Sequence, residues 1–157
     1  MRDWQVEFSI VPRRALATAG VAALRPSADA SPWSAERLPL GYQSKLAAVS
    51  PLAPSSNEDV QSWGPEDGNR LDVWSVDGRA TKVTARVDVR RLDAKFGAMV
   101  LQFARTANAV LVRSDGLVVE PMVGAFSAAL RSSAAWRFAN DPSAQLASYL
   151  DPAPDDE

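Results

Sequence analysis

Apolar and polar residues alternate from Trp4 to Ile10: Trp4, Val6, Phe8 and Ile10 point one way, and Gln5, Glu7 and Ser9 the other. A period of two predicts a half-buried strand, which Pro12 stops because it cannot donate to a ladder. The same period returns in residues 58–91. Val60 to Trp63 reads as a short strand, Gly64-Pro65-Glu66-Asp67-Gly68-Asn69 as dense turn chemistry, and Arg70 to Val76 as a second strand. A third strand, Thr81 to Arg90, puts Val83, Ala85, Val87 and Val89 on one face, with Lys82, Thr84, Arg86, Asp88 and Arg90 on the other. Such strands belong to an antiparallel sheet with one dry and one wet face.

The Asp77-Gly78 turn bears on register. A two-residue loop would pair Val73 with Lys82 and Asp72 with Val83, mixing the faces. A three-residue loop of Val76, Asp77 and Gly78, with Gly78 left-handed in a bulge, pairs Leu71 with Val83 and sets Asp72 opposite Lys82. The pattern therefore predicts the three-residue loop.

After Asp93, a natural N-cap, Phe96, Met99, Val100, Phe103 and Ala107 follow at helical spacing, and Asn108 provides a stop. Ala109 to Val112 and Leu117 to Glu120 read as short strands around the turn Ser114-Asp115-Gly116. Pro121 suits the first position of a helix whose buried stripe would be Met122, Phe126, Ala129 and Leu130. Asp141-Pro142 begins a last helix anchored by Leu146 and Leu150.

Residues 13–56 carry little periodicity. Ala15 to Leu24 suits a short helix weakened by Gly20, and Tyr42 to Val49 one or two helical turns. Pro26, Pro32, Pro39, Pro51 and Pro54 interrupt the remainder, which reads as an irregular wrapping segment pinned by Trp33, Leu38, Leu40 and Leu46. The expected fold is α+β: an antiparallel sheet of about five or six strands, with a central meander over 58–91 and helices on one face. The element order is compatible with a ferredoxin-like split βαβ, a likeness of order only. We expect one domain over 1–150 and an acidic, disordered tail over 151–157.

Composition narrows the chemistry. The 157 residues include no histidine and no cysteine, so a Ser-His-Asp triad, a Cys-His pair, a zinc finger and an iron–sulfur cluster cannot be built. The chain is 46% hydrophobic and 23% charged, as in globular domains. Its 17 basic and 19 acidic residues leave a net charge of −2, which gives no global attraction for nucleic acid or anionic lipid. No stretch is long and apolar enough to span a bilayer, and the polar alternation after Met1 lacks the apolar core of a signal peptide, so a cytoplasmic location is expected. Arginine in excess over lysine, with abundant alanine, accords with a GC-rich bacterial coding sequence.

Four constellations remain. The first is the polar sheet face: Arg70, Asp72 and Trp74 beside Lys82, Thr84, Arg86, Asp88 and Arg90. A large aromatic among charges is a typical interface anchor, although Trp74 packed under the 13–56 segment within a solvated charge lattice would give the same pattern. The second is acidic: Glu58, Asp59, Glu66, Asp67 and nearby Asp72. Paired carboxylates can hydrolyse glycosides or hold Mg²⁺ or Ca²⁺, and Glu66, Asp67 and Asp72 form the weak metal alternative. Yet this stretch lacks the alternation of an EF-hand, and Asp and Asn beside Gly suit any turn. The third is basic, with Arg70, Arg79, Arg86, Arg90 and Arg91. Interspersed acids and a single aromatic argue against single-stranded nucleic acid.

The fourth is a serine set: Ser114, Ser127, Ser132, Ser133 and Ser143. It has no Gly-x-Ser-x-Gly elbow and no Ser-x-x-Lys spacing, and no phosphate-binding P-loop occurs anywhere. The sequence thus calls for no cofactor. It points to a small non-catalytic bacterial protein, immunity-like or adaptor-like, that binds another protein or a second copy of itself through Arg70, Asp72, Trp74, Lys82, Arg86, Asp88 and Arg90. A carboxylate-dependent hydrolase using Glu66, Asp67, Asp72 or Asp88 is the alternative, and a self-associating structural protein a third reading.

Overall fold

Strand β1 (Gln5–Pro12) follows the alternation that predicts it, burying Val6, Phe8 and Ile10. The chain is described by a computed structural model for residues 1–19, 33, 38–55 and 57–140. With β2 (Val60–Trp63), β3 (Arg70–Val76), β4 (Arg79–Asp88), β5 (Ala109–Arg113) and β6 (Val118–Val119), β1 builds a six-stranded sheet in the order β2-β3-β4-β1-β5-β6. Every pairing is antiparallel. The α+β architecture expected from the pattern is therefore present, and β1 lies between β4 and β5.

One face of the sheet carries Val6, Phe8, Ile10, Leu71, Val73, Val83, Ala85, Val87 and Leu111, all buried. Against it pack α2 (Tyr42–Ala47), α3 (Ala94–Thr106), α4 (Val123–Arg131) and α5 (Ala134–Asn140). Phe96, Val100 and Phe103 of α3 and Phe126 and Leu130 of α4 complete the core, and the Phe8 and Phe126 rings meet at 5.3 Å. Each such side chain contributes about 1.5–3 kcal/mol by leaving water. Asp93 caps α3, its Oδ1 accepting from the Lys95 and Phe96 amides, and Asn108 ends the following turn in the left-handed region.

Several expectations need correction. The hairpin between β3 and β4 closes on two residues, not three: Val76 pairs with Arg79, and Asp77 and Gly78 take φ of 51° and 76°. Two successive left-handed residues suit the right-handed twist of a hairpin, and Asp-Gly supplies them at little strain. The mixing of faces is avoided because the register shifts at Trp74/Ser75, with Thr81 the extra residue on β4. Leu71 therefore faces Ala85, and Asp72 faces Thr84; Lys82 lies opposite Trp74.

Strand β4 ends at Asp88, so Arg90 lies in the turn beyond it. Helix α4 begins at Val123 with Met122 as its N-cap, which leaves Pro121 outside and Met122 62% exposed instead of in the buried stripe. Leu40 pins nothing, being 94% exposed, whereas Trp33 and Leu46 are buried. Trp33 Nε1 donates to the Ile10 carbonyl at 3.0 Å. The pattern predicts no helix over Ala134–Asn140, where α5 forms.

Helix α1 (Arg13–Ala19) lies on the opposite side of the sheet from α2–α5, where Ala15 and Leu16 cover Val11, Val110 and Val112. The helix expected around Leu146 and Leu150, the 151–157 tail, and residues 20–32 and 34–37 of the wrapping segment lie outside the described residues.

Candidate functional site

Alternation along β2, β3 and β4 brings Ser62, Arg70, Asp72, Trp74, Lys82, Thr84, Arg86 and Asp88 to one surface, opposite the helical core. The sequence places all but Ser62 there. Its middle, however, is dry: Ser62, Asp72, Thr84 and Asp88 are each no more than 3% exposed.

Asp72 is the hub. Its Oδ1 accepts from the Ser62 hydroxyl and from Arg70 Nε at 3.0 Å, and its Oδ2 from Arg86 Nη2 at 3.2 Å. Arg70 also donates to the Gly64 carbonyl at 3.3 Å, which ties β3 to the preceding turn. Arg86 Nε is buried without a hydrogen-bond partner among the described residues and lies 4.0 Å from Glu7 Oε1 on β1. The network thus spans β1 to β4. Asp72 is 2% exposed and held by two guanidiniums and a hydroxyl, so this arrangement ties the strands together and is poorly suited to acid–base work on a substrate.

A second pair sits at the end of β4. Arg90 grips Asp88 with Nε at 3.1 Å and Nη2 at 3.0 Å, and the Asp88 amide donates to Asn69 Oδ1 at 2.8 Å. That bonding, chiefly the hydrogen bond to Asp88, holds the Arg90 pKa above its ordinary value. Its guanidinium carbon lies 3.9 Å from the Trp4 ring centroid. Trp4 Nε1 donates to the Asp67 carbonyl at 2.8 Å, and Gln5 Nε2 donates to Glu66 and Gly68 carbonyls at 3.1 and 2.7 Å. The Pro65–Gly68 turn is therefore strapped by its backbone onto the start of β1, which explains how Gln5, on the polar side of the alternation, is 3% exposed.

The acidic alternative comes apart at this strap. Glu66 and Asp67 are exposed turn residues, Asp72 is locked by arginines, and no three acids converge as a metal-ligand set among the described residues. Trp74 and Lys82 remain open. Trp74 is 37% exposed, lies opposite Lys82 on β4 and Val60 on β2, and shares its side of β3 with Val76, which is 54% exposed. The open surface is thus an apolar patch with one lysine at the outer end of the hairpin, smaller than the whole polar face.

Elsewhere, two ion pairs clip loops to the body. Arg13 holds Glu120 with two hydrogen bonds of 2.9 and 3.0 Å, and Arg113 holds Asp115 at 2.7 and 2.8 Å. Hydrogen bonding to Arg113 pulls the Asp115 carboxyl down to about 2. Arg13 lowers Glu120 in the same way. No helix of the described residues is long and apolar enough to cross a membrane. No family model, curated protein or solved structure matches this chain.

Proposed function

We propose that this chain is a small non-catalytic bacterial protein, acting in the cytoplasm as an immunity-like or adaptor-like binder, which docks a partner protein through the Trp74 end of its sheet. The observation that carries the reading is Trp74: a large aromatic left 37% exposed on the β3–β4 hairpin, beside exposed Val76 and Lys82. Tryptophan is among the residues that most often carry the binding energy of protein interfaces. The arginines behind it are engaged with Asp72 and hold the strands in place, so the patch is presented without further ordering. A carboxylate-dependent hydrolase is less well supported, because Asp72 and Asp88 are both neutralised by arginine.

The test is affinity capture from the native host with the parent, Trp74→Ala, Lys82→Glu and a remote control, Arg137→Ala. We expect a specific partner to be lost from the first two variants and kept by the control, with circular dichroism unchanged throughout. Retention of every partner by Trp74→Ala and Lys82→Glu would overturn the assignment. Light scattering separates the self-association reading, since a second copy on this patch would give a mass that rises with concentration and collapses in Trp74→Ala.

A further inference from the structure

The face of α3 turned toward α2 carries a second feature, remote from Trp74. Between the two helices lies a groove of about 500 Å³, within the usual range for small-molecule sites. Its floor is apolar, formed by Tyr42, Leu46, Met99 and Phe103, the last three no more than 8% exposed. Tyr42 stands edge-on to Phe103 at 6.0 Å and to Trp63 at 6.1 Å, which fixes that wall. Its rim holds Lys45, Lys95 and Arg105, and no acidic residue lines it among the described residues.

None of these three cations forms an ion pair among the described residues. Arg105 donates only to neutral oxygens, the Pro121 carbonyl at 2.8 Å and Gln102 Oε1 at 3.4 Å. Arg13, Arg70, Arg86, Arg90 and Arg113 are paired with carboxylates, whereas Arg2, Arg79, Arg91, Arg131 and Arg137 form no ion pair among the described residues, so what sets the groove apart is the gathering of three such cations around one apolar floor. Three uncompensated cations around an apolar trough make a field that selects a negative charge attached to an apolar body.

We infer that the α2–α3 groove binds a medium-chain amphiphilic carboxylate, its tail on Leu46, Met99 and Phe103 and its head between Lys45 and Lys95. The apolar floor supplies binding by area removed from water, and the lysines supply the sign of the head group. Burial keeps the Tyr42 phenol protonated above its ordinary range, leaving a hydroxyl donor at the same wall.

Titration calorimetry with decanoate, decylamine and decanol, below their aggregation concentrations, tests this on the full chain. Decanoate is expected to saturate at one per chain, with decanol weaker and decylamine weakest. Lys45→Gln with Lys95→Gln should weaken decanoate about tenfold, two solvent-exposed charge contacts being lost. Ala98→Trp, an exposed position on the groove wall, should fill the trough and abolish binding with the fold intact by circular dichroism. Trp74→Ala should leave decanoate affinity unchanged, so this site and the Trp74 patch stand or fall separately. Absence of saturable decanoate binding, equal binding of decylamine, or full affinity in the lysine double variant would overturn the proposal. Lysine-dependent binding of an acidic amphipathic peptide with no decanoate binding would replace the occupant and equally overturn it.

Discussion

The guanidinium carbon of Arg90 sits over the indole of Trp4, 3.9 Å from the ring centroid, while the same group grips Asp88. One side chain thereby joins the end of β4 to the residue before β1, and Trp4 passes the link on to the Asp67 carbonyl. Of the cations that the alternation offers to a partner, Arg90 is instead part of the protein's own framework. Arg90→Ala should lower the thermal midpoint, and Trp4→Leu should then cost less than it does in the parent. A double-mutant cycle of melts reads this coupling; strictly additive effects would show that the stacked contact has no energetic weight.

Asp72 should be the most sensitive polar position in the sheet. Asp72→Ala leaves Arg70 and Arg86 half-buried without their carboxylate, a loss of about 3–5 kcal/mol for breaking one side of a buried pair. Asp72→Asn keeps the acceptor for Ser62 and should cost less. Urea denaturation of both variants gives the ranking, and a cost below 1 kcal/mol for Asp72→Ala, about that of an exposed pair, would contradict the assigned role.

Two glycines separate backbone strain from collision. Gly78 has φ of 76° and open space where a Cβ would go, so Gly78→Ala should cost about 1 kcal/mol from conformation alone. At Gly64, φ is 103° and a Cβ would strike the Asn69 carbonyl oxygen across the turn. Gly64→Ala should therefore be the worse of the two, and it should also loosen the strap on Gln5. Thermal melts of the pair decide the order.

The Arg113–Asp115 pair predicts a pH dependence. The folded carboxyl, at about 2, lies below its ordinary 3.8, so its stabilisation is complete above about pH 4 and is lost as pH falls toward 2. The parent should exceed Asp115→Asn in stability near neutrality and converge with it near pH 2. Because Asp115 is 59% exposed, water and salt damp the effect, and added salt should shrink the difference. Chemical melts across this range, at low and high ionic strength, test both statements.

Alternation made much of this molecule legible. The bounds of β2 and β3, the Asp93 cap and the core faces of β1 and β4 follow directly from the residues. The hairpin register does not, because pattern matching favours an extra loop residue where the chain places its irregularity at Thr81, and both repair the same mismatch of faces. Met122 shows another limit: an apolar residue at helical spacing is still exposed if the helix starts one residue later. At the candidate site, alternation gives direction but not cover. It puts Asp72 and Asp88 on the correct side yet says nothing of arginines folding over them, and Gln5 is sealed by a turn some sixty residues away, beyond the reach of any local pattern.

Placing β1 in the middle of the sheet has a consequence for assembly. The segments 58–88 and 94–140 can each form from near neighbours, but they share no ladder until β1 enters between them, pairing Gln5 with Asp88 on one side and Phe8 with Arg113 on the other. Such distant closures slow the final step. Until it happens, two long unpaired edges stand open, and the first strand of another molecule fits them as well as the chain's own. High concentration during refolding should thus favour exchange of this strand between copies.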